Sequence, residues 1–203
     1  MAGKRTGSDG GATRKLILDA TAAIMREEGY AAVSSRRVAQ RAGLKSQLVH
    51  YHFGTMDKLF LALFRRSEDE FLATEVRALA SDRPVTELWS ASLGTDKELT
   101  AEFIALGIHR GAIRDEIARA NDRTRTIHTA VLARALEETG VGSDEMPAEV
   151  LAFLIAAVSR TLLTEAALGL SSAHTSVRAF VERHATALET KLVAARAANA
   201  EMS

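Results

Sequence analysis

The chain has 203 residues, with 26 Lys and Arg balanced by 26 Asp and Glu, six His, two Pro, no Cys and 47% hydrophobic residues. That length and apolar share suffice to bury a core as one or two domains, while the lack of cysteine excludes disulfide scaffolds, thiolate metal sites, iron–sulfur clusters and cysteine nucleophiles. The zero net charge is an average: residues 1–58 hold ten Lys and Arg against five Asp and Glu, and residues 59–203 the remaining sixteen against twenty-one, a split that fits a nucleic-acid-binding head on an acidic body but also ordinary solvated surface.

Helix is the only regular pattern. Apolar residues recur at three- and four-residue spacing, and no stretch alternates apolar and polar as a strand would. The expected fold is all-α, with about nine helices at 13–28, 34–42, 46–52, 56–80, 84–93, 96–109, 112–139, 147–168 and 174–197 behind a flexible tail, 1–12. Pro84, after Ser81-Asp82, and Pro147, after Ser143-Asp144, mark helix starts. Gly29, Gly43, Gly94, Gly140 and Gly169 mark helix ends.

The first helix carries Leu16, Ile17, Ala20, Ile24 and Met25 at helical spacing and closes at Gly29-Tyr30. The second opens on Ser34, whose hydroxyl can cap the free N–H groups of the next turn, and it turns its Val38 and Ala39 inward. Ala42-Gly43-Leu44 then makes a tight turn in which glycine supplies a positive φ. Helix, glycine turn and helix in this order form the helix-turn-helix layout, whose second helix enters the major groove. If Val49 and Phe53 of the third helix face the core, Gln47 and Tyr51 lie about 160–200° round the helix, flanked by Leu48 and His50. Such a face can bond base edges, touch a thymine methyl or reach phosphates. Packing of His50 and Tyr51 on the next helix is the competing explanation.

Residues 17–59, ILDATAAIMREEGYAAVSSRRVAQRAGLKSQLVHYHFGTMDKL, resemble the DNA-binding domain of TetR-family transcriptional regulators. The shared pattern is I-L-x-A early in the first helix, Gly-Tyr closing it, hydrophobic-Ala-x-x-Ala-Gly-hydrophobic across the turn, and an aromatic-rich end at Phe53. The resemblance implies a three-helix DNA-binding domain, 13–57, followed by a helical ligand-binding and dimerisation domain, 58–203. It implies that Arg36 reads a base, as the bidentate arginine–guanine contact does, and that Ser34 and Ser35 hold phosphates near a helix N-terminus. Lys45, Ser46, Gln47 and Leu48 would lead the recognition helix, with His50, Tyr51, His52 and Lys58 completing the DNA-binding set. Three positions depart from the family's pattern. Lys45 replaces a common serine, leaving Ser46 to cap. His50 replaces a tyrosine. Met56 stands where a phosphate-binding lysine is frequent, and Lys58, two residues on, faces another direction.

The fourth helix carries Leu59, Phe60, Leu63, Phe64, Phe71, Leu72 and Val76 on one wide stripe. Beyond it, Trp89, Phe103, Ile104, Leu106, Ile108 and Phe153 are each accounted for by core packing. The resemblance implies a ligand cavity among the same helices, which makes Trp89, Phe103, Leu106, His109 and Phe153 its candidate lining, with Arg110 and Arg114 as partners for an anionic group. An apolar lining suits a lipophilic or aromatic effector. Helices 147–168 and 174–197 are apolar on more than one side: Leu151, Leu154, Ile155, Val158 and Leu162, then Phe153, Leu163 and Leu168, and Val177, Val181, His184, Leu188 and Leu192. Two copies pairing these helices would bury them in a two-fold homodimer; burial within one subunit is the other reading.

No nucleophile elbow, P-loop, zinc-protease or dinucleotide motif is present, and the six His are scattered, so no catalytic residue, metal or cofactor is expected. The longest uncharged apolar run, 150–159, is about half of the ~20 residues a bilayer span needs, and the polar first fifteen residues lack a signal core. The expectation is a cytoplasmic, ligand-responsive DNA-binding regulator, a repressor released from a near-palindromic operator by a small effector, with no membrane partner. An activator of the same family and a ligand-independent architectural DNA-binding protein are the alternatives.

Overall fold

The computed structural model describes residues 6–140 and 146–201. Among them every regular element is helical: α1 (Thr6–Glu28), a 3-10 turn (Tyr30–Ala32), α2 (Ser35–Ala42), α3 (Ser46–Phe53), α4 (Met56–Leu79), α5 (Pro84–Leu93), α6 (Lys97–His109), α7 (Gly111–Glu138), α8 (Ala148–Ala167) and α9 (His174–Glu201). The expected helices are thus present, most within one or two residues of their ends. α1 and α9 are the exceptions: α1 starts at Thr6 where a flexible tail to residue 12 was expected, and α9 runs to Glu201, four residues past its expected end. Once the buried turns around Ile17 exist, each further residue adds a hydrogen bond without a new nucleation cost. Ser143 and Asp144, read as signals ahead of Pro147, lie outside the described residues; Pro147 itself is the N-cap of α8.

Two compact units share the chain. One comprises the residues up to Glu68 with Glu98–Ala118; the other comprises Asp69–Lys97 and the described residues from Arg119 on. The first unit therefore runs past the boundary expected at residue 57 and takes in most of α6 and the start of α7. α4 and α7 each supply residues to both units.

In the first unit, Ile17, Ala20, Ile24 and Met25 of α1 are buried with Val38 and Ala39 of α2, Val49 and Phe53 of α3, and Leu59, Phe60, Leu63 and Phe64 of α4. Leu16 departs from expectation: it is half exposed, because the buried arc of α1 is set by Ile17, Ala20 and Ile24. Phe103 of α6 meets Phe64 edge-on, with centroids 5.2 Å apart. Gly107 permits a close helix approach, since a Cβ there would stand 2.9 Å from Ile117 Cδ1.

The second unit is built around Val85, Trp89, Leu132, Ala135, Ala152, Ile155, Leu162, Ala185 and Leu192 from α5, α7, α8 and α9. Glu189 of α9 accepts hydrogen bonds from the backbone N–H groups of Val85 and Thr86, capping an α5 whose own N-cap, Arg83, provides no side-chain bond. At the far end of α7, Glu138 accepts from Arg134 and Arg196, each at 2.7 Å. The Arg196 and Arg134 hydrogen bonds hold its carboxyl below the usual glutamate range.

Among the described residues α8 is long and apolar enough to cross a bilayer by length and composition, a length the sequence reading did not see because Arg160 interrupts its apolar run. Its Ala152, Ile155, Ser159 and Leu162 are nonetheless buried within the unit, as in a core helix. The remaining arc of α8 and part of α9 leave Val150, Phe153, Leu154 and Phe180 about half exposed, so the apolar surface that the sequence assigned to two sides is half covered within this chain.

Candidate nucleic-acid interface

The helix-turn-helix is held by local chemistry that the sequence specifies. Ser34 sits in extended backbone and its Oγ accepts the Arg37 N–H at 3.3 Å, capping α2. Gly43 closes the helix at φ +68°, with Leu44 N–H donating to Ala39 O at 2.8 Å and Gly43 N–H to Gln40 O at 3.3 Å. This double bond pattern needs a left-handed residue, which glycine adopts without a Cβ clash. Replacing Ser34 by alanine is expected to cost about 1 kcal/mol of stability, measurable by denaturant unfolding without DNA; an unchanged midpoint would show that water replaces the hydroxyl at no cost.

Two ion pairs clamp α2 to the end of α1. Arg41 makes a two-point contact with Glu27, Nη1 to Oε2 being 2.7 Å, and Arg37 bonds Glu28. The Arg41 hydrogen bond holds the Glu27 carboxyl below its ordinary range. Glu102 of α6 accepts the Tyr30 N–H at 2.6 Å, and Arg66 of α4 bonds Asp19 of α1 at 2.6 Å.

With Arg37 and Arg41 engaged, Arg36 is left exposed and without an ion-pair partner among the described residues. Ser34, Arg36, Arg37, Gln40 and Arg41 line a concave depression of about 680 Å³ with Ile24 and Glu28. On α3, Val49 and Phe53 are buried as the helical angle requires. Lys45, Ser46, Gln47, His50 and Tyr51 are exposed, while Ser35, Leu48 and His52 are partly covered. Tyr51 is 81% exposed, so it does not pack on the next helix. Its ring meets the edge of His52 at 5.2 Å. His50 Nδ1 lies 3.4 Å from the Gly54 carbonyl oxygen.

Two details correct the sequence reading. Ser46 does not cap α3: it is the first helical residue, and Lys45 is the N-cap without a side-chain bond. The start of α4 is capped instead by Thr55, whose hydroxyl accepts the Lys58 N–H at 3.2 Å. The exposed Lys58 is thereby fixed in the first turn of that helix. Arg14 was also missed. It donates to the His52 carbonyl at 3.3 Å and lies 4.4 Å over the Phe53 ring, bracing the end of α3.

The expected ligand-lining residues are divided between the two units. Phe103, Leu106 and His109 belong to the first unit, and Trp89 and Phe153 to the second. Phe103, Leu106 and Trp89 are buried as core, whereas His109 is exposed and Phe153 is half exposed beneath the Arg125 guanidinium at 4.9 Å. Arg110 pairs with Asp57 and lies over Phe60, and Arg114 stands 4.0 Å from Asp115. Sequence reasoning also missed Glu75, His128 and Glu189, which are buried polar groups of the second unit. Each sits among apolar residues at helical spacing: Glu75 with Phe71 and Leu72, His128 with Leu132, Glu189 with Leu192. A charge on an apolar face was the available signal.

Residues 17–63 match the family described as bacterial regulatory proteins, tetR family. Over these residues the chain is similar to the DNA-binding domain of TetR-family transcriptional regulators. The repressor AcnR of Corynebacterium glutamicum is 26% identical over 164 residues, covering 79% of this chain and 85% of AcnR. The regulator BetI of Rhizobium meliloti is 28% identical over 112 residues, 52% of this chain and 55% of BetI. A TetR transcription regulator from Haloarcula marismortui superposes with a TM-score of 0.73 at 20% identity, covering 89% of this chain and 97% of that chain. A transcriptional regulator from Saccharomonospora viridis, solved with choline, has a TM-score of 0.69 at 19% identity over 87% and 94% of the two chains. These structures share the fold.

Proposed function

We propose that this regulator is a homodimeric repressor that binds a near-palindromic operator through α2 and α3 and leaves it when a small molecule binds the body. The observation that carries the DNA reading is the division of labour on α2: Arg37 and Arg41 are committed to Glu28 and Glu27, while Arg36 is exposed and has no ion-pair partner among the described residues. In this assignment Arg36 reads a base, and Ser34, Ser35, His52 and Lys58 position the phosphate backbone. Lys45, Ser46, Gln47, Leu48, His50 and Tyr51 form the reading edge. The half-exposed Val150, Phe153, Leu154 and Phe180 supply an apolar surface for a second copy through α8 and α9. A dimer places two heads on half-sites about 34–36 Å apart or a multiple of that.

Release follows from linkage. An effector that favours a head spacing unsuited to DNA weakens operator binding, and DNA weakens effector binding by the same factor, about 5- to 150-fold for a coupling of about 1–3 kcal/mol. α4 and α7, each shared between the two units, offer the covalent route for that coupling. The solved relative that holds choline supports a small-molecule effector for this regulator as well, acting in the cytoplasm where the DNA is.

The test begins by selecting an operator from a random duplex pool with the wild-type protein. Arg36→Ala is expected to lose about 1–3 kcal/mol on that operator and to relax discrimination at one base pair per half-site. Equal losses on operator and random duplex would reassign Arg36 to the phosphate backbone.

A further inference from the structure

The last turn of α1 ends on two carboxylates, Glu27 and Glu28. They stand at the negative end of the helix dipole, so the stability of α1 does not account for them. Their partners do. Glu28 pairs with Arg37, and Glu27 makes its two-point contact with Arg41, one turn further along α2. The four side chains are between 33% and 50% exposed, where ion pairs add little to folding stability. Both arginines nevertheless line the depression that also holds Ser34, Arg36 and Gln40, the part of α2 assigned above to DNA. Two of the five carboxylates in residues 1–58 thus hold two of the ten Lys and Arg there.

A cation free to reach phosphate raises affinity for every duplex alike, and each phosphate neutralised steepens the fall of log affinity with log salt by about 0.9. Base contacts, by contrast, discriminate. We propose that Glu27 and Glu28 set the specificity of the head. By holding Arg41 and Arg37 against α1, they withhold two cations per head from the DNA backbone and leave discrimination to Arg36 and α3. Without the carboxylates, both guanidinium groups are released beside Arg36. On random duplex the head then settles wherever most of its cations meet phosphate. On an operator the base contacts fix its register, and the released arginines take only the phosphates within reach there. Random duplex therefore gains more than operator. Glu27 and Glu28 act through the arginines and do not themselves touch DNA. The inference rests on the DNA reading above and adds to it what restrains non-specific binding.

The full-length wild-type protein, Glu27→Gln, Glu28→Gln and the double variant are titrated with the selected operator and with random duplex of equal length, between about 50 and 200 mM salt. Each single substitution is expected to steepen the random-duplex salt slope by about 1 per head. The double variant is expected to bind random duplex about tenfold more tightly, with operator affinity changed by less than about threefold. A misfolded head would lose affinity, so the sign of the change separates the two; should the double variant not fold, the single substitutions carry the test. In an Arg37→Gln background Glu28→Gln should then change neither slope nor affinity, and Glu27→Gln should be equally silent in Arg41→Gln. An effect that persists in those backgrounds means that the carboxylates repel DNA directly, and it overturns the inference. Unchanged salt slopes, or equal gains on operator and random duplex, overturn it too. With operator selection by the wild-type protein intact, these results leave the DNA reading standing. A wild-type protein that selects no operator overturns that reading and this inference with it.

Discussion

Leu154→Asp is expected to convert the regulator to a monomer and to lower its affinity for a two-half-site operator by about 10²–10⁴-fold. Leu154 is 52% exposed on α8, one turn beyond Val150 and next to Phe153, both half exposed, with Phe180 exposed on α9. Its replacement therefore removes little packing within the subunit. In the proposed dimer through α8 and α9 the same position is covered by a second copy, where a carboxylate without a partner loses its hydration and gains nothing. Losing the dimer costs the second head its effective concentration, which is where the large factor arises. Sedimentation at matched protein concentration measures the first effect. Binding to duplexes with one and two half-sites measures the second, and single-half-site affinity should stay at the wild-type value. A variant that remains dimeric would place the interface elsewhere.

Phe60→Ala is expected to destabilise the protein by about 3–5 kcal/mol. Phe60 is 2% exposed in the first unit, between the buried Leu59 and Leu63 of α4. The Arg110 guanidinium lies 5.6 Å from its ring centroid, in a position set by the ion pair of Arg110 with Asp57. Removing the ring leaves a cavity and withdraws the face that Arg110 covers. Phe60→Leu, which restores much of the volume, should recover most of the loss. Denaturant unfolding at fixed protein concentration tests both, since dimerisation makes stability concentration-dependent. A loss below about 1 kcal/mol would mean that the neighbouring side chains collapse into the space.

Much of the head was legible in the sequence because its determinants are local. Ser34 caps and Gly43 takes a left-handed turn within a few bonds of where those residues stand, and the burial of Val49 and Phe53 follows from helical angle. Tyr51 needed the structure only to decide between packing and exposure. The Ser46 reading failed on a finer local point: Lys45 already occupies the extended cap position, so the serine hydroxyl falls inside the first turn.

The body was less legible because its determinants are distant in sequence. The hydrogen-bonded Glu75 and His128 are separated by 53 positions, and Val85 and Glu189 by 104. Periodicity marks an apolar face but not what covers it, which is why Trp89, Phe103 and Phe153 were grouped although Phe103 belongs to the first unit and, in the second, Trp89 is buried while Phe153 is half exposed. By itself the sequence determined the helices, the Ser34 cap, the Gly43 turn and the buried side of α3, since these depend on backbone sterics and side-chain period within a few residues. Only the tertiary structure decided that Glu98–Ala118 joins the head's compact unit, that α8 spends half its apolar surface inside and shows half to solvent, and that one glutamate is buried with a single partner. Those outcomes depend on which distant helix faces fit together, and no short stretch of chain encodes that.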